Sequence, residues 1–168
     1  MPRSALIVVV PEAEPIVGEW RLKYDNARLG IPAHVTLLFP FVPADVLDEA
    51  LFEELRPLFA AQPAFAVSFP RVARFPDHAW LAPEPSEPFV RLTELIFERY
   101  SGYPPYEGIH DEVIPHLTVG EGDAAFQDEV ERALNPSLPV ESVVRDVVLL
   151  AEDESGYWRP RERFPLGA

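Results

Sequence analysis

Read by the spacing of its apolar and polar positions, the chain opens with the unbroken run Ala5-Leu6-Ile7-Val8-Val9-Val10. The run is short and rich in β-branched residues, which predicts a buried strand over residues 5–10. Ile16, Val17, Trp20, Leu22 and Tyr24 then recur at roughly helical intervals behind Glu12 and Glu14, acids that suit the positive end of a helix. After a loop over residues 25–32, residues 34–41 read as a second strand, closed by Pro40 and Pro43. The clearest amphipathic segment is 44–61. Val46, Leu47, Ala50, Leu51, Leu55, Leu58 and Phe59 form its apolar stripe, and Asp45, Asp48, Glu49, Glu53 and Glu54 fill the rest.

Farther on the period drops to two. Phe65, Val67 and Phe69 alternate, residues 72–75 continue them, and residues 78–81 return across the Pro76-Asp77 turn as a hairpin. A proline-rich connector over 83–88 offers Ser86 as an N-cap and Pro88 in the first turn of a helix predicted at 89–100. A turn-rich loop over 101–111 leads to a strand at 113–120. A helix follows at 124–134 behind the candidate cap Asp123, and two strands, 142–152 and 157–166, close the chain around Glu154-Ser155-Gly156. The order is strand, helix, strand, helix, hairpin, helix, strand, helix, hairpin: an α+β pattern. Dividing it near residues 83–88 gives two halves of like order within a single domain spanning residues 1–168.

Composition narrows the class. The chain has 168 residues, 48% of them hydrophobic, enough for a substantial core and against disorder. It has no cysteine, which removes disulfides, thiolate nucleophiles and Cys-based zinc sites, and is compatible with a reducing cytoplasm. The opening apolar run has only Arg3 upstream and ends in Pro11-Glu12-Ala13-Glu14, so a strand explains it better than an export signal. No segment approaches the ~18 apolar residues that would span a bilayer. A soluble, cytoplasmic monomer is expected. The net charge of −14 argues against a partner made of long nucleic acid, and leaves room for a short nucleotide in a locally basic pocket.

The candidate chemistry lies in a phrase that occurs twice, His34-Val35-Thr36 and His116-Leu117-Thr118, each in an apolar context with Pro32 or Pro115 upstream. On a strand, alternate side chains share a face, so each phrase presents one imidazole and one hydroxyl together. Similar halves would set the phrases across a shared cleft. Two imidazoles titrating near neutrality can accept and donate a proton, and two hydroxyls can bind non-bridging phosphate oxygens as charge builds. That is chemistry for splitting a phosphodiester, and the scheme needs no metal and no cofactor.

Other readings are weaker. A metal hydrolase would draw on His, yet there is no HxH or HExxH, and the one dense cluster, His110-Asp111-Glu112, falls in a predicted loop where solvated charge is ordinary. His78, beside Asp77, reads as exposed. There is no GxSxG and no phosphate-cradling glycine loop. A protein that binds nucleotides without catalysis stays open as an alternative.

The fuller contexts, Gly30-Ile31-Pro32-Ala33-His34-Val35-Thr36-Leu37-Leu38-Phe39-Pro40-Phe41 and Ile114-Pro115-His116-Leu117-Thr118-Val119, resemble the 2H phosphoesterase superfamily, also called the 2′-5′ RNA ligase-like family. The resemblance runs from the first strand to the last hairpin. It implies two pseudo-symmetric lobes, each a mostly antiparallel sheet with outer helices, around a central groove. It also implies hydrolysis of a 2′,3′-cyclic phosphate or 2′-5′ linkage on a small nucleotide or RNA end. His34 and His116 become the catalytic pair, with His116 as base and His34 as acid in the hydrolytic direction, and Thr36 and Thr118 the phosphate-holding hydroxyls. Some members carry a basic residue just after the second phrase, where this chain has Gly120-Glu121-Gly122. Arg71, Arg74, Arg159 and Arg161 are candidates to replace it, and Phe41 and Trp80 are candidates to stack on a base.

Overall fold

The computed structural model describes residues 2–108 and 113–168, so the His110-Asp111-Glu112 cluster lies outside the described residues. Its strands are β1 (Ser4–Val9), β2 (His34–Leu38), β3 (Phe65–Phe75), β4 (His78–Glu84), β5 (Leu117–Glu121), β6 (Val140–Val144), β7 (Asp146–Glu152) and β8 (Trp158–Pro165). The helices are α1 (Glu14–Tyr24), α2 (Glu49–Ala60), α3 (Glu87–Arg99) and α4 (Ala124–Leu134). The strands form two four-stranded sheets, β2-β1-β7-β8 and β5-β4-β3-β6, and every neighbouring pair is antiparallel.

Burial explains the two kinds of strand pattern. β1, β4 and β7 are buried along most of their length and read as unbroken apolar runs, whereas β3, also interior to its sheet, alternates. β2 alternates over its first residues, and the edge strand β6 alternates throughout. The two strands that carry the repeated phrases, β2 and β5, are each the edge of a sheet, and they lie against one another. α1 packs on β5 and α3 on β2, while α2 covers β8 and α4 covers β3. The main core, including Phe59, Phe69, Phe89 and Phe164, fills the space beneath the helices. Each such side chain removed from water contributes about 1.5–3 kcal/mol. A second, smaller apolar cluster, Ala5, Ile7, Ile31, Val148, Leu150 and Trp158, is separate from it.

The division near residues 83–88 does not coincide with how the strands are shared. Each sheet takes strands from both sides of it. The repeating unit is strand–helix–phrase–helix, β1-α1-β2-α2 and then β4-α3-β5-α4, so the second unit begins at His78. The strand that follows the first unit, β3, pairs with β4; β6, which follows the second unit, pairs with β3, and β7 after it crosses to pair with β1. The two lobes are thereby interlocked.

Other boundaries shift for local reasons. The predicted strand 142–152 is broken at Arg145: β6 pairs with β3 in one sheet and β7 with β1 and β8 in the other. One apolar run thus serves two sheets, and the polar pair Arg145-Asp146 marks the crossing. In the predicted helix 44–61 a short 3₁₀ turn at Ala44–Val46 comes first, and the Asp48 carboxylate then accepts from the Leu51 N–H (2.9 Å) to start α2. Asp123 caps α4 in the same way through the Phe126 N–H. Ser86 does not cap α3 with its side chain; its carbonyl accepts from Phe89 and Val90 instead. The predicted strand 113–120 starts only at Leu117, which leaves His116 just before it.

Candidate active site

His34 is the first residue of β2, paired in register with Val9, and Thr36 pairs with Ile7. Both are partly exposed, whereas Val35 and Leu37 between and beyond them are buried, as strand alternation requires. Side chains from two helices fix the backbone on either side. From α1, Glu14 accepts from the Ala33 N–H (2.7 Å). Arg21, 1% exposed, donates to the Ile31 carbonyl (2.9 Å), to Asn26 Oδ1 (2.7 Å) and to Asp25 Oδ2 (3.0 Å). From α3, Thr93 Oγ1 donates to the Leu37 carbonyl (2.7 Å). Gly30, at φ +90°, lets the loop pass under β8, because a Cβ there would stand 2.6 Å from the Trp158 carbonyl oxygen.

The second phrase repeats the pattern with different support. Leu117 and Val119 are buried and His116 and Thr118 partly exposed. Thr118 is opposite Trp80 in register, and an irregularity follows, between Ala79 and Trp80. Gly120 admits α1 and α4 close to the strand, since a Cβ would meet Tyr24 at 2.7 Å and Phe126 at 2.9 Å.

The two imidazoles are held alike. His34 Nδ1 lies 2.7 Å from the Pro32 carbonyl and His116 Nδ1 lies 2.6 Å from the Ile114 carbonyl, each two residues back. A carbonyl only accepts, so Nδ1–H donates and the neutral ring keeps its lone pair on Nε2. The rings are close enough that charge on His116 acts on His34. Burial, then the Arg21 cation and then His116 push the His34 imidazole down to about 4, against the opposing hydrogen bond to Pro32. Tyr106 ties the phrases together. Its hydroxyl shares a hydrogen bond with Thr36, its N–H donates to the Phe39 carbonyl (2.6 Å), and its ring lines the His116 cavity. Burial raises its phenol above the usual range, so it stays a neutral hydroxyl.

A cavity lies beside each histidine. That at His34, about 280 Å³, is walled by Ile7, Thr36, Phe39, Leu150 and Trp158, with Arg3 and Asn26 as polar groups. That at His116, about 340 Å³, is walled by Phe75, Pro76, Asp77, His78, Tyr106 and Ile114. Among the described residues, no three His, Asp or Glu side chains gather where a metal ion could be held, and no helix is long and apolar enough to cross a membrane.

Several substrate residues expected from the sequence stand elsewhere. Phe41 is 2% exposed, its ring packed edge-on against Tyr100 and Tyr103 in the main core, so it offers no face to a base. Arg74 points to α4, where Asp128 and Glu131 hold it at 2.7 Å each. Arg159 is exposed, lies over the Tyr157 ring and faces Asp153 at 3.8 Å. Arg71 and Arg161 are exposed and line neither cavity. Trp80 does reach the site, but as buried backing: it stacks on Phe75 (ring centroids 4.7 Å) with its ring 5.8 Å from that of His116. Its Nε1–H has no hydrogen-bond partner among the described residues.

Sequence reasoning passed over the groups that do line the cavities. Arg3 is paired with Glu152 (2.7 Å) and spread over Phe39 and Trp158, and nothing in the opening strand points to that use. Tyr106 sits in the turn-rich loop over 101–111 and carries no motif. His78 could have been found, because His78 and Trp80 are two apart and share a strand face.

Comparison with known proteins agrees with this architecture. The model of the 2′-5′ RNA ligase superfamily matches residues 9–156, and the chain belongs to that superfamily, the 2H phosphoesterases. A Bacillus cereus (strain ATCC 10987 / NRS 248) protein named "Putative phosphoesterase" is 30% identical over 149 residues, covering 88% of this chain and 86% of its own. A similarly named Geobacillus kaustophilus protein is 25% identical and covers 96% and 95%. Among solved structures, E. coli LigT complexed with 3′-AMP superposes with a TM-score of 0.66 at 17% identity over all of both chains. TT0787 of Thermus thermophilus gives 0.62 at 21% identity over 97% of each. These likenesses establish the two-lobed α+β fold.

Proposed function

We propose that this chain is a metal-independent phosphodiesterase that hydrolyses a 2′,3′-cyclic phosphate, or a 2′-5′ linkage, of a small nucleotide or RNA end. The observation that carries the proposal is the matched pair of imidazoles on facing edge strands. Each has Nδ1–H pinned by a carbonyl, and each has a threonine hydroxyl on its own face. Relatives named as phosphoesterases, and LigT structures holding 3′-AMP, NADP+ and ATP, support a phosphate ester of a small nucleotide as the ligand. The acidic chain, at −14, fits such a ligand better than long nucleic acid, and we place the enzyme in the cytoplasm as a monomer.

In this scheme water attacks phosphorus, one histidine takes its proton, and the other protonates the departing ribose oxygen to leave a phosphomonoester. Thr36 and Thr118 hold the non-bridging oxygens as negative charge grows. The environment of His34 favours the reverse of the roles implied by the resemblance. A ring pushed down to about 4 is neutral at pH 7 and ready to accept, so His34 serves as base and His116 as acid. A bound phosphate anion raises the His34 value toward the working range.

The test is a screen of nucleoside 2′,3′-cyclic phosphates, cyclic-phosphate-ended oligonucleotides and 2′-5′ dinucleotides with EDTA present. Turnover that survives EDTA and is lost in H34A and H116A is the expected result. Binding of nucleotides with no turnover by the unaltered protein would instead favour the non-catalytic alternative.

A further inference from the structure

The His116 wall holds a third imidazole that the scheme above leaves unused. His78 opens β4, and its Nδ1 lies 2.7 Å from Asp77 Oδ1. The carboxylate accepts, so Nδ1–H donates; in the imidazolium form Nε2–H is a second donor, available to an oxyanion in the cavity that His78 shares with His116. The His78 ring sits 4.9 Å from that of Phe75 and 5.9 Å from that of His116, and its side chain is only 23% exposed. It is thus a held ring in the cavity wall, not a loose surface group.

Register gives the position its meaning. Directly opposite His78 on β5 stands Glu121, the acid that follows the second phrase within Gly120-Glu121-Gly122. The irregularity between Ala79 and Trp80 changes the pairing between Thr118 and Glu121, and such irregularities re-aim side chains. Arg74 is occupied by α4, and Arg159 lies outside both cavities. Among the described residues lining this cavity, His78 and His116 are the two that can carry positive charge.

We propose that His78, aimed by Asp77, binds a phosphate oxygen of the substrate in the His116 cavity and supplies the cationic contact that β5 lacks. The proposal rests on the phosphodiesterase reading, and its ligand chemistry is a phosphate oxyanion. That oxyanion belongs either to the scissile group or to a second, terminal phosphate on the same molecule. The titratable groups around His78 are Asp77 on the turn, Glu121 on β5, His116, Tyr106 from the loop, and Asp25 at the end of α1.

The experiment measures binding of 3′-AMP by calorimetry, and KM and kcat for adenosine 2′,3′-cyclic phosphate with and without a 5′-phosphate, in H78A, H78R and D77N. In H78A, 3′-AMP binding should weaken about tenfold, as expected for losing a hydrogen bond to a charged group, and the loss should fall on KM more than on kcat. H78R should restore binding, and D77N should show a smaller loss in the same direction. A KM loss with both substrates assigns the contact to the scissile phosphate, and a loss confined to the 5′-phosphorylated one assigns it to a terminal phosphate. Unchanged binding and KM in a folded H78A protein overturn the proposal, as does failure of H78R to restore binding. Because 3′-AMP binding needs no turnover, these results stand apart from whether the phosphodiesterase reading itself holds.

Discussion

The two phrases have the same spacing and the same carbonyl-pinned histidine, yet they sit in opposite surroundings. His34 is set in a polar clamp: Arg21, Glu14 and Thr93 fix its strand and its approach, and burial beside a cation keeps its ring neutral. His116 is set among rings, with Phe75 and Trp80 behind it and His78 beside it. On the proposed phosphodiesterase reading, like motifs in unlike environments would let one fold obtain an acid and a base from two identical side chains. On that reading the asymmetry, not the repeat, gives the proton transfer its direction.

That contrast can be broken at its centre. Alanine at His34 or His116 should lower kcat by about 10²–10⁴-fold. The variants should also differ in pH profile, H34A losing the acid limb and H116A the basic limb. The sign follows from the His34 value: about 4 in the fold against an ordinary 6.5, so the ring stays an acceptor until the pH falls toward 4. The same difference means the unfolded chain binds more protons between those values. Stability should therefore decline as pH drops from about 6.5 to 4, by on the order of 3 kcal/mol, and H34N should flatten that slope in denaturant titrations. A slope unchanged in H34N would show that other groups set it.

The clamp offers the next largest effect. Arg21→Met leaves Asp25, Asn26 and the Ile31 carbonyl without their donor, and should destabilise by about 3 kcal/mol. For a chain of this size that corresponds to a fall in Tm of roughly 6–12 °C by calorimetry. Thr93→Val, which removes one neutral hydrogen bond from the same strand, should cost only about 1 kcal/mol. Equal losses from the two would mean that the buried cation plays no special part.

The smallest change tests the link between the walls. Tyr106→Phe removes the hydroxyl that engages Thr36 and keeps the ring in the His116 cavity. Turnover should fall by about fivefold, from a loss of about 1 kcal/mol in positioning Thr36, with the melting temperature little altered. A matching loss in T36V but none in the double variant beyond T36V would tie both effects to one hydrogen bond.

Much of this molecule was legible because its information is local. Strand alternation put each His and Thr on one face, the cap Asp123 is read from a single residue, and α4 was found at its observed bounds. What escaped depended on pairing between distant segments. The run over 142–152 carries only the polar pair Arg145-Asp146 as a local mark, and that pair alone does not say that Val140–Val144 and Asp146–Glu152 join different sheets. Arg74 looked available until α4 was seen to hold it, and Phe41 was a candidate to stack on a base until Tyr100 and Tyr103 were seen against it in the core. His78, at the start of the predicted return strand, read as exposed until β4 pairing brought it beside His116.

By itself, then, the sequence determined which residues could perform the chemistry and that they recur in matched strands, because side-chain period and residue type are properties of short segments. The tertiary structure decided that β3 joins the sheet of the second phrase while β7 and β8 join that of the first, and that β2 and β5 meet as facing edges. It also decided that one histidine is sunk beside a cation while the other stands beside a third imidazole. Those outcomes depend on which strands pair and on what is buried, and both are settled only when segments far apart in the chain compete for the same surfaces.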